Sequence, residues 1–160
     1  MRPNLLRMAT EKRRARPAVK YGPTAETVAA NVARLRKARG WSIYALAGEL
    51  EKRERPITAS AIAKLEKTQR QVSVDDLVAL AAALRVNPSA LLLPLTDDAT
   101  ETCEITGVGA VDANRAWDWM DGEMPIASIE PGDPTGELLL FEVYARPPGR
   151  RMLAPSTEEE

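Results

Sequence analysis

Between residues 24 and 95 the signals that start and stop α-helices recur so closely that the chain has room for little besides short helices packed on one another. Thr24 follows Pro23 and precedes Ala25-Glu26, a cap hydroxyl ahead of an acidic first turn, and Gly40 supplies the stop. Ser42 opens a second helix that fades within residues 51–55, because Pro56 disfavours helix at the residue before it. Thr58 caps a third, which ends in the polar, basic stretch 67–71, and Ser73 caps a fourth with Asp75 and Asp76 in its first turn. Asn87-Pro88-Ser89 turns the chain into a short fifth helix before Pro94.

Within each segment the apolar residues share one side. Val28, Val32 and Leu35 form the first stripe, Leu46, Ala47 and Leu50 the second, Ile62 and Leu65 the third, and Leu77, Leu80, Ala81 and Leu84 the fourth. The chain is 44% hydrophobic but only 4% aromatic, so its core is expected from Ala, Leu, Val and Ile, which suits helices better than a sandwich. Five helices joined by short turns make an all-α bundle near the size at which a domain folds alone.

The net charge of −1 conceals a strong asymmetry. Residues 1–20 carry seven Lys or Arg against the single Glu11, net +6, and residues 21–95 carry eleven against seven acids, net +4. Residues 96–160 carry four against fifteen, net −11. A basic arm and a basic helical part joined to an acidic end point to nucleic-acid contact. Residues 1–23 are read as a flexible basic arm, with Lys12, Arg13, Arg14 and Arg16 as its candidate DNA contacts, or as a solvated tail.

Beyond residue 95 the pattern changes. Residues 102–108 read as a strand, Asp112 as the cap of a helix ended by Gly122, and residues 138–145 as a second strand, since Leu139, Phe141, Val143 and Ala145 alternate with Leu140, Glu142 and Tyr144. This strand-helix-strand unit, residues 96–146, is too small to stand alone, so it is expected to pack on the bundle or on a second copy. Residues 147–160 are expected to be a disordered acidic tail. The fold expected is therefore mainly α, a five-helix bundle followed by a small α+β C-terminal unit.

The third helix is the place where function is expected. With Ile62 and Leu65 facing inward, Thr58, Ala59, Ser60 and Lys64 are left on a small outer face that fits the major groove of DNA. Leu35-Arg36, Arg39-Gly40-Trp41-Ser42, Leu46-Ala47, residues 58–66, residues 77–84 and residues 86–92 follow one another in an order and spacing that resemble the lambda-repressor-like helix-turn-helix family, also called the Cro or xenobiotic-response-element type. The likeness covers residues 28–93 and is nearest to forms from GC-rich bacteria or their phages.

The resemblance implies a sequence-specific transcriptional regulator, a repressor in phage immunity or host regulation, that binds double-stranded DNA as a homodimer in the bacterial cytosol. By position it assigns Thr58, Ala59, Ser60 and Lys64 to bases or the groove, and Ser42, Lys67 and Arg70 to phosphates. Arg53 and Arg55 are not carried over from the family: they lie in the turn before the third helix and are read from their charge as further phosphate contacts or as part of a solvated charged loop. Glu66 corresponds to an acid that braces the fold through an arginine, here Arg36. Two departures are visible: Ile43 stands where many relatives carry a glutamine, and the turn at residues 51–56 is longer than theirs.

Other classes find less support. The chain has no histidine, one cysteine and no Gly-rich phosphate loop, so no enzyme, metal site or cofactor is expected. Ser128 and Ser156 have no lysine after Lys67 to form a Ser-Lys peptidase, and no apolar run is long enough to span a membrane. The alternative is a protein-interaction module, an antitoxin or adaptor, working through the acidic C-terminal unit. Trp117, Trp119 and Phe141 are its candidate interface, although Trp117 also suits a core position.

Overall fold

The structure, a computed structural model, describes residues 21–126 and 134–151. The expected arm contacts Lys12, Arg13, Arg14 and Arg16 lie outside the described residues, as do residues 152–160 of the expected acidic tail. Five helices build the bundle: α1 (Pro23–Ala38), α2 (Ile43–Glu51), α3 (Ala59–Leu65), α4 (Val74–Ala83) and α5 (Ser89–Leu92). A two-stranded antiparallel sheet follows, β1 (Thr102–Ile105) and β2 (Gly109–Asp112), then α6 (Ala113–Met120), α7 (Pro134–Ala145) and one 3-10 turn (Pro148–Arg150).

Local chemistry sets the helix ends. The hydroxyl oxygens of Ser42, Thr58 and Ser73 accept the backbone N–H of Ala45, Ala61 and Asp76 at 3.1, 3.2 and 3.1 Å, each satisfying a donor that the first turn leaves unpaired. Gly40 takes φ +66° after α1, which lets the Trp41 N–H return to the Arg36 carbonyl at 3.1 Å. Thr24 is not the cap of α1. The helix begins two residues earlier, at Pro23 with Gly22 as cap, and the Thr24 hydroxyl accepts instead from the Thr106 N–H at 2.9 Å.

The bundle core is the one the periodicity describes: Val28, Val32, Leu46, Leu50, Ile62, Leu65, Leu80 and Leu84 are buried, with Leu35, Ala47 and Leu77 partly buried against them. Each fully buried Leu or Ile contributes about 1.5–3 kcal/mol by leaving water. A buried polar residue joins the two ends of the bundle. Asn31 on α1 donates from Nδ2 to the carbonyls of Leu91 and Leu93 at 3.2 and 2.7 Å, and its Oδ1 accepts from Arg34.

The C-terminal unit packs on the bundle and has a core of its own. Ile105, Val111 and Ala116 close over Leu93, so the last residues of the bundle form the floor of the second core. In the hairpin Cys103 pairs with Val111 and Glu104 with Ala110, placing Cys103, Ile105 and Val111 on the inner face. Its turn docks on the start of α1 by the reciprocal Thr24–Thr106 bonds, and a Cβ at Gly22 would lie 2.5 Å from the Thr106 hydroxyl. The Trp117 indole donates to the carbonyls of Pro94 and Thr96 at 3.2 and 3.0 Å, which ties α6 to the same edge.

Three features of the expected C-terminal unit are corrected. The strand expected at residues 102–108 stops at Ile105, and the chain turns through Gly107, at φ +83°, into a second strand that the sequence reading passed over. Residues 138–145 are not a strand but part of α7. Apolar residues occupy both faces there, so the alternation was uninformative, while Pro134 at the first position and Glu137 in the first turn favour a helix. Residues 147–151 are not disordered: Arg151 donates to the Val143 carbonyl at 2.9 Å and folds the turn back on α7.

Candidate nucleic-acid interface

A helix of seven residues makes few intrahelical bonds, so α3 depends on its anchors. Ile62 and Leu65 are fully buried beneath it, Ile57 is buried just before it, and Thr58 caps it. The opposite side therefore faces solvent. Thr58, Ser60 and Lys64 are exposed and Ala59 is half-buried between them, which brings the four expected groove residues onto one small face. No carboxylate stands on that face, since Glu66, at the end of the helix, is turned inward.

Glu66 is held by Arg36 of α1 in a bidentate pair, Nε to Oε1 at 2.6 Å and Nη2 to Oε2 at 2.8 Å, while Nη1 donates to the Trp41 carbonyl at 2.7 Å. Both side chains are about nine-tenths buried. The bonds to Glu66 raise the Arg36 pKa above the ordinary guanidinium value, against the opposing pull of burial. One ion pair thus fixes α1, the turn into α2 and the end of α3 relative to one another. Ile43, at the position of the family's glutamine, is partly buried against the bundle core instead.

The residues expected at phosphates fall into two groups. Ser42 is exposed at the start of α2; its oxygen accepts the capping bond and its hydroxyl proton is left to donate outward. Lys67 is exposed and has no ion pair among the described residues. Arg53, by contrast, bonds to the Glu49 carboxylate at 3.0 Å, and Lys52 reaches the same carboxylate at 2.6 Å. Hydrogen bonds from Lys52 and then Arg53 lower the Glu49 pKa below its ordinary value.

Arg55 and Arg70 converge on Asp76, at 3.0 and 2.8 Å, and Asp75 lies 3.8 Å from Arg55. The Asp76 carboxylate is only 5% exposed, so the clamp closes the long turn between α2 and α3, where Glu54 sits at φ +57°, against the first turn of α4. Sequence reasoning took Asp76 only as a first-turn acid. The signal was its place on the inner stripe with Leu80 and Leu84, at i, i+4 and i+8. Trp117 and Trp119 pack partly buried against the second core, and Phe141 on α7 is half-buried. Cys103 is partly buried on the same core; burial, and then the charge of Glu104, push its thiol pKa up.

Residues 32–91 match the family described as helix-turn-helix. That segment is a helix-turn-helix domain of the lambda-repressor type. Domains of this family bind DNA, and the matched residues span α2 and α3. The restriction-modification controller protein C.AhdI from Aeromonas hydrophila is similar over 42% of this chain and 94% of its own, with 28% identity and a TM-score of 0.38. A hypothetical transcription factor, NHTF, from Neisseria is similar over 48% of this chain and 87% of its own, with 23% identity and a TM-score of 0.41. At those scores neither fold adds to what the bundle itself displays. No curated protein matches the chain. No helix among the described residues is long and apolar enough to cross a membrane.

Proposed function

We propose that this chain is a sequence-specific transcriptional regulator that works as a repressor, laying α3 in the major groove of double-stranded DNA. The observation that carries the reading is the outer face of α3, where Thr58, Ala59, Ser60 and Lys64 lie on a rigidly anchored helix whose one acid, Glu66, is buried on Arg36. Short and hydroxylated side chains let the helix axis approach the bases, and Ala59 suits a thymine methyl. With so few hydrogen-bonding groups, part of the specificity falls to DNA shape.

Phosphates are taken by the Ser42 hydroxyl, by Lys67 and by Arg53. The Lys52 and Arg53 pairs with Glu49 lie at the surface, where water and salt screen an ion pair, so a phosphate can displace the carboxylate. Arg55 and Arg70 serve the same contact by holding the turn, because the buried Asp76 already takes their charge. The arm residues Lys12, Arg13, Arg14 and Arg16 add sequence-independent attraction in this reading. A homodimer must set its two α3 helices about 34 Å apart, one turn of DNA, so the site is a near-palindrome. The compartment is the bacterial cytosol.

Selection of binding sites from a random duplex pool tests this. Enrichment of a palindrome with half-sites about one turn apart is expected; a pool that stays random after repeated rounds refutes sequence-specific binding. The second reading, an antitoxin or adaptor that binds a protein through residues 96–146, is favoured by one observation, the exposed apolar side of α7. A chain that captures no DNA but retains a protein partner on that side supports it.

A further inference from the structure

Between the bundle and α7 the chain carries a charge that its neighbours do not balance. Residues 96–126 hold eight acids against Arg115 alone, and Arg115 is bonded to the Ile126 carbonyl at 3.2 Å. Three of the acids border one cavity of about 450 Å³: Asp97 just after the bundle, and Asp118 and Asp121 at the end of α6. None of the three has an ion pair among the described residues. The last turn of α6 holds no basic residue, so the negative end of the helix adds to the carboxylates. In the same wall Asn114 Oδ1 is buried without a hydrogen-bond partner, and Leu95 is 76% exposed near the partly buried Trp117. Unpaired acids, an unused acceptor and bare apolar carbon together fit an arginine side chain, which brings a planar set of donors, a positive charge and an aliphatic stem.

We propose that this cavity takes the chain's own basic segment, through Arg13, Arg14 and Arg16, which lie outside the described residues. The place where that segment joins the fold favours it as the occupant. Gly22, at its root, stands against Thr106 of the hairpin turn, so the segment meets the fold beside the acidic unit. The Arg36–Glu66 pair at the end of α3 is fourteen residues further on, about 21 Å along α1. From Thr106 the strand β1 runs back to Thr102 over about 13 Å. There the Ala113 N–H bonds to the Glu101 carbonyl, one residue before Asn114 in the cavity wall. Arg16 is six residues before Gly22 and Arg13 nine, spans of up to about 20 and 30 Å, so all three arginines reach. The net +6 of residues 1–20 completes the match.

Docking has a consequence for DNA that, unlike the docking itself, rests on the regulator reading. Cations held by the chain's own acids are withheld from random duplex and are released only where phosphates outcompete the cavity.

Paramagnetic relaxation in the full chain without DNA reads the docking. A nitroxide is attached at Ala15→Cys, with Cys103→Ser removing the native thiol. The amide signals of Asn114, Asp118 and Asp121 are expected to lose at least about half their intensity, while those of Ser60 and Lys64 on α3 keep theirs. The loss should vanish between about 0.1 M and about 1 M salt, as the screening length falls from about 10 Å to about 3 Å. It should vanish equally in Asp118→Asn combined with Asp121→Asn, whose melt should match that of its parent because neither carboxylate has an ion pair. Undiminished signals at the cavity, a loss that survives high salt, or the same loss in the double variant would each overturn the proposal. So would a loss that passes from a spin-labelled chain to a separate isotope-labelled one, since a second copy's segment would then be the occupant. DNA binding is measured apart from this: a chain that shows the docking and ignores DNA loses the regulator reading alone, and one that binds DNA without the docking loses only the proposal.

Discussion

Removing the Glu66 carboxylate should unfold the helix-turn-helix domain far more readily than its position at the end of a short helix suggests. In Glu66→Ala the Arg36 guanidinium keeps one strong bond, to the Trp41 carbonyl at 2.7 Å, but loses both bonds to its counter-ion. Arg36 and Glu66 are only 10% and 11% exposed, so water does not replace the lost partner. Stripping one partner from a buried, bidentate pair costs about 3–5 kcal/mol, most of it the cost of the stranded charge. At about 2–4 °C per kcal/mol for a chain of this size, the melting temperature should fall by about 6–20 °C. Circular dichroism at 222 nm and a urea titration measure it, the latter showing a lower midpoint at unchanged slope. The stranded-charge argument makes a second demand: Arg36→Met combined with Glu66→Leu removes both charges and should recover most of the loss. A fall under about 2 °C in Glu66→Ala, or a double variant no better than the single one, would refute the reasoning.

Other consequences are open to direct measurement. Asp76→Ala releases Arg55 and Arg70 together and should lower stability by about 2 kcal/mol, less than a fully buried pair because both arginines are partly in water; urea midpoints report it. Lys64→Ala should relax base preference at one position of the site, whereas Lys67→Ala should weaken all sequences alike and lower the salt slope by about 1, which competition binding against single-base operator variants separates. The Cys103 thiol pKa is raised by burial and by Glu104, so the folded state holds its proton more firmly than the unfolded chain does. That contribution is complete below the unfolded thiol's pKa and fades as pH rises through the folded one, and an aromatic disulfide reagent at pH 8 should label native protein more slowly than protein in urea.

How much of this was legible in the residues follows from how local each determinant is. Ser42, Thr58 and Ser73 each cap through a bond three residues away, so the helix starts could be read directly from the chain. Thr24 looked the same and was not, because its partner Thr106 is 82 residues distant. The Arg36–Glu66 pair spans 30 residues and became visible only through the family likeness, which fixes both positions at once. No such guide covered Asp76. Its convergence with Arg55 and Arg70 depends on the path of a turn longer than the family's, and only its place on the α4 stripe hinted at burial. The C-terminal unit was the least legible for a different reason: residues 138–145 are apolar on every side, so neither a period of two nor one of 3.6 stands out.

The central claim is that the face of α3 bearing Thr58, Ala59, Ser60 and Lys64 meets DNA. Fluorescence anisotropy of the full chain on its selected duplex, titrated with salt, tests it most directly. Binding through this face and its flanking cations should weaken steeply, with log affinity falling linearly against log salt by about 0.9 for each phosphate neutralised, and Ser60→Glu should abolish the complex by placing a carboxylate in the groove. Flat salt dependence, or a Ser60→Glu chain that binds as the wild type does, would contradict the account.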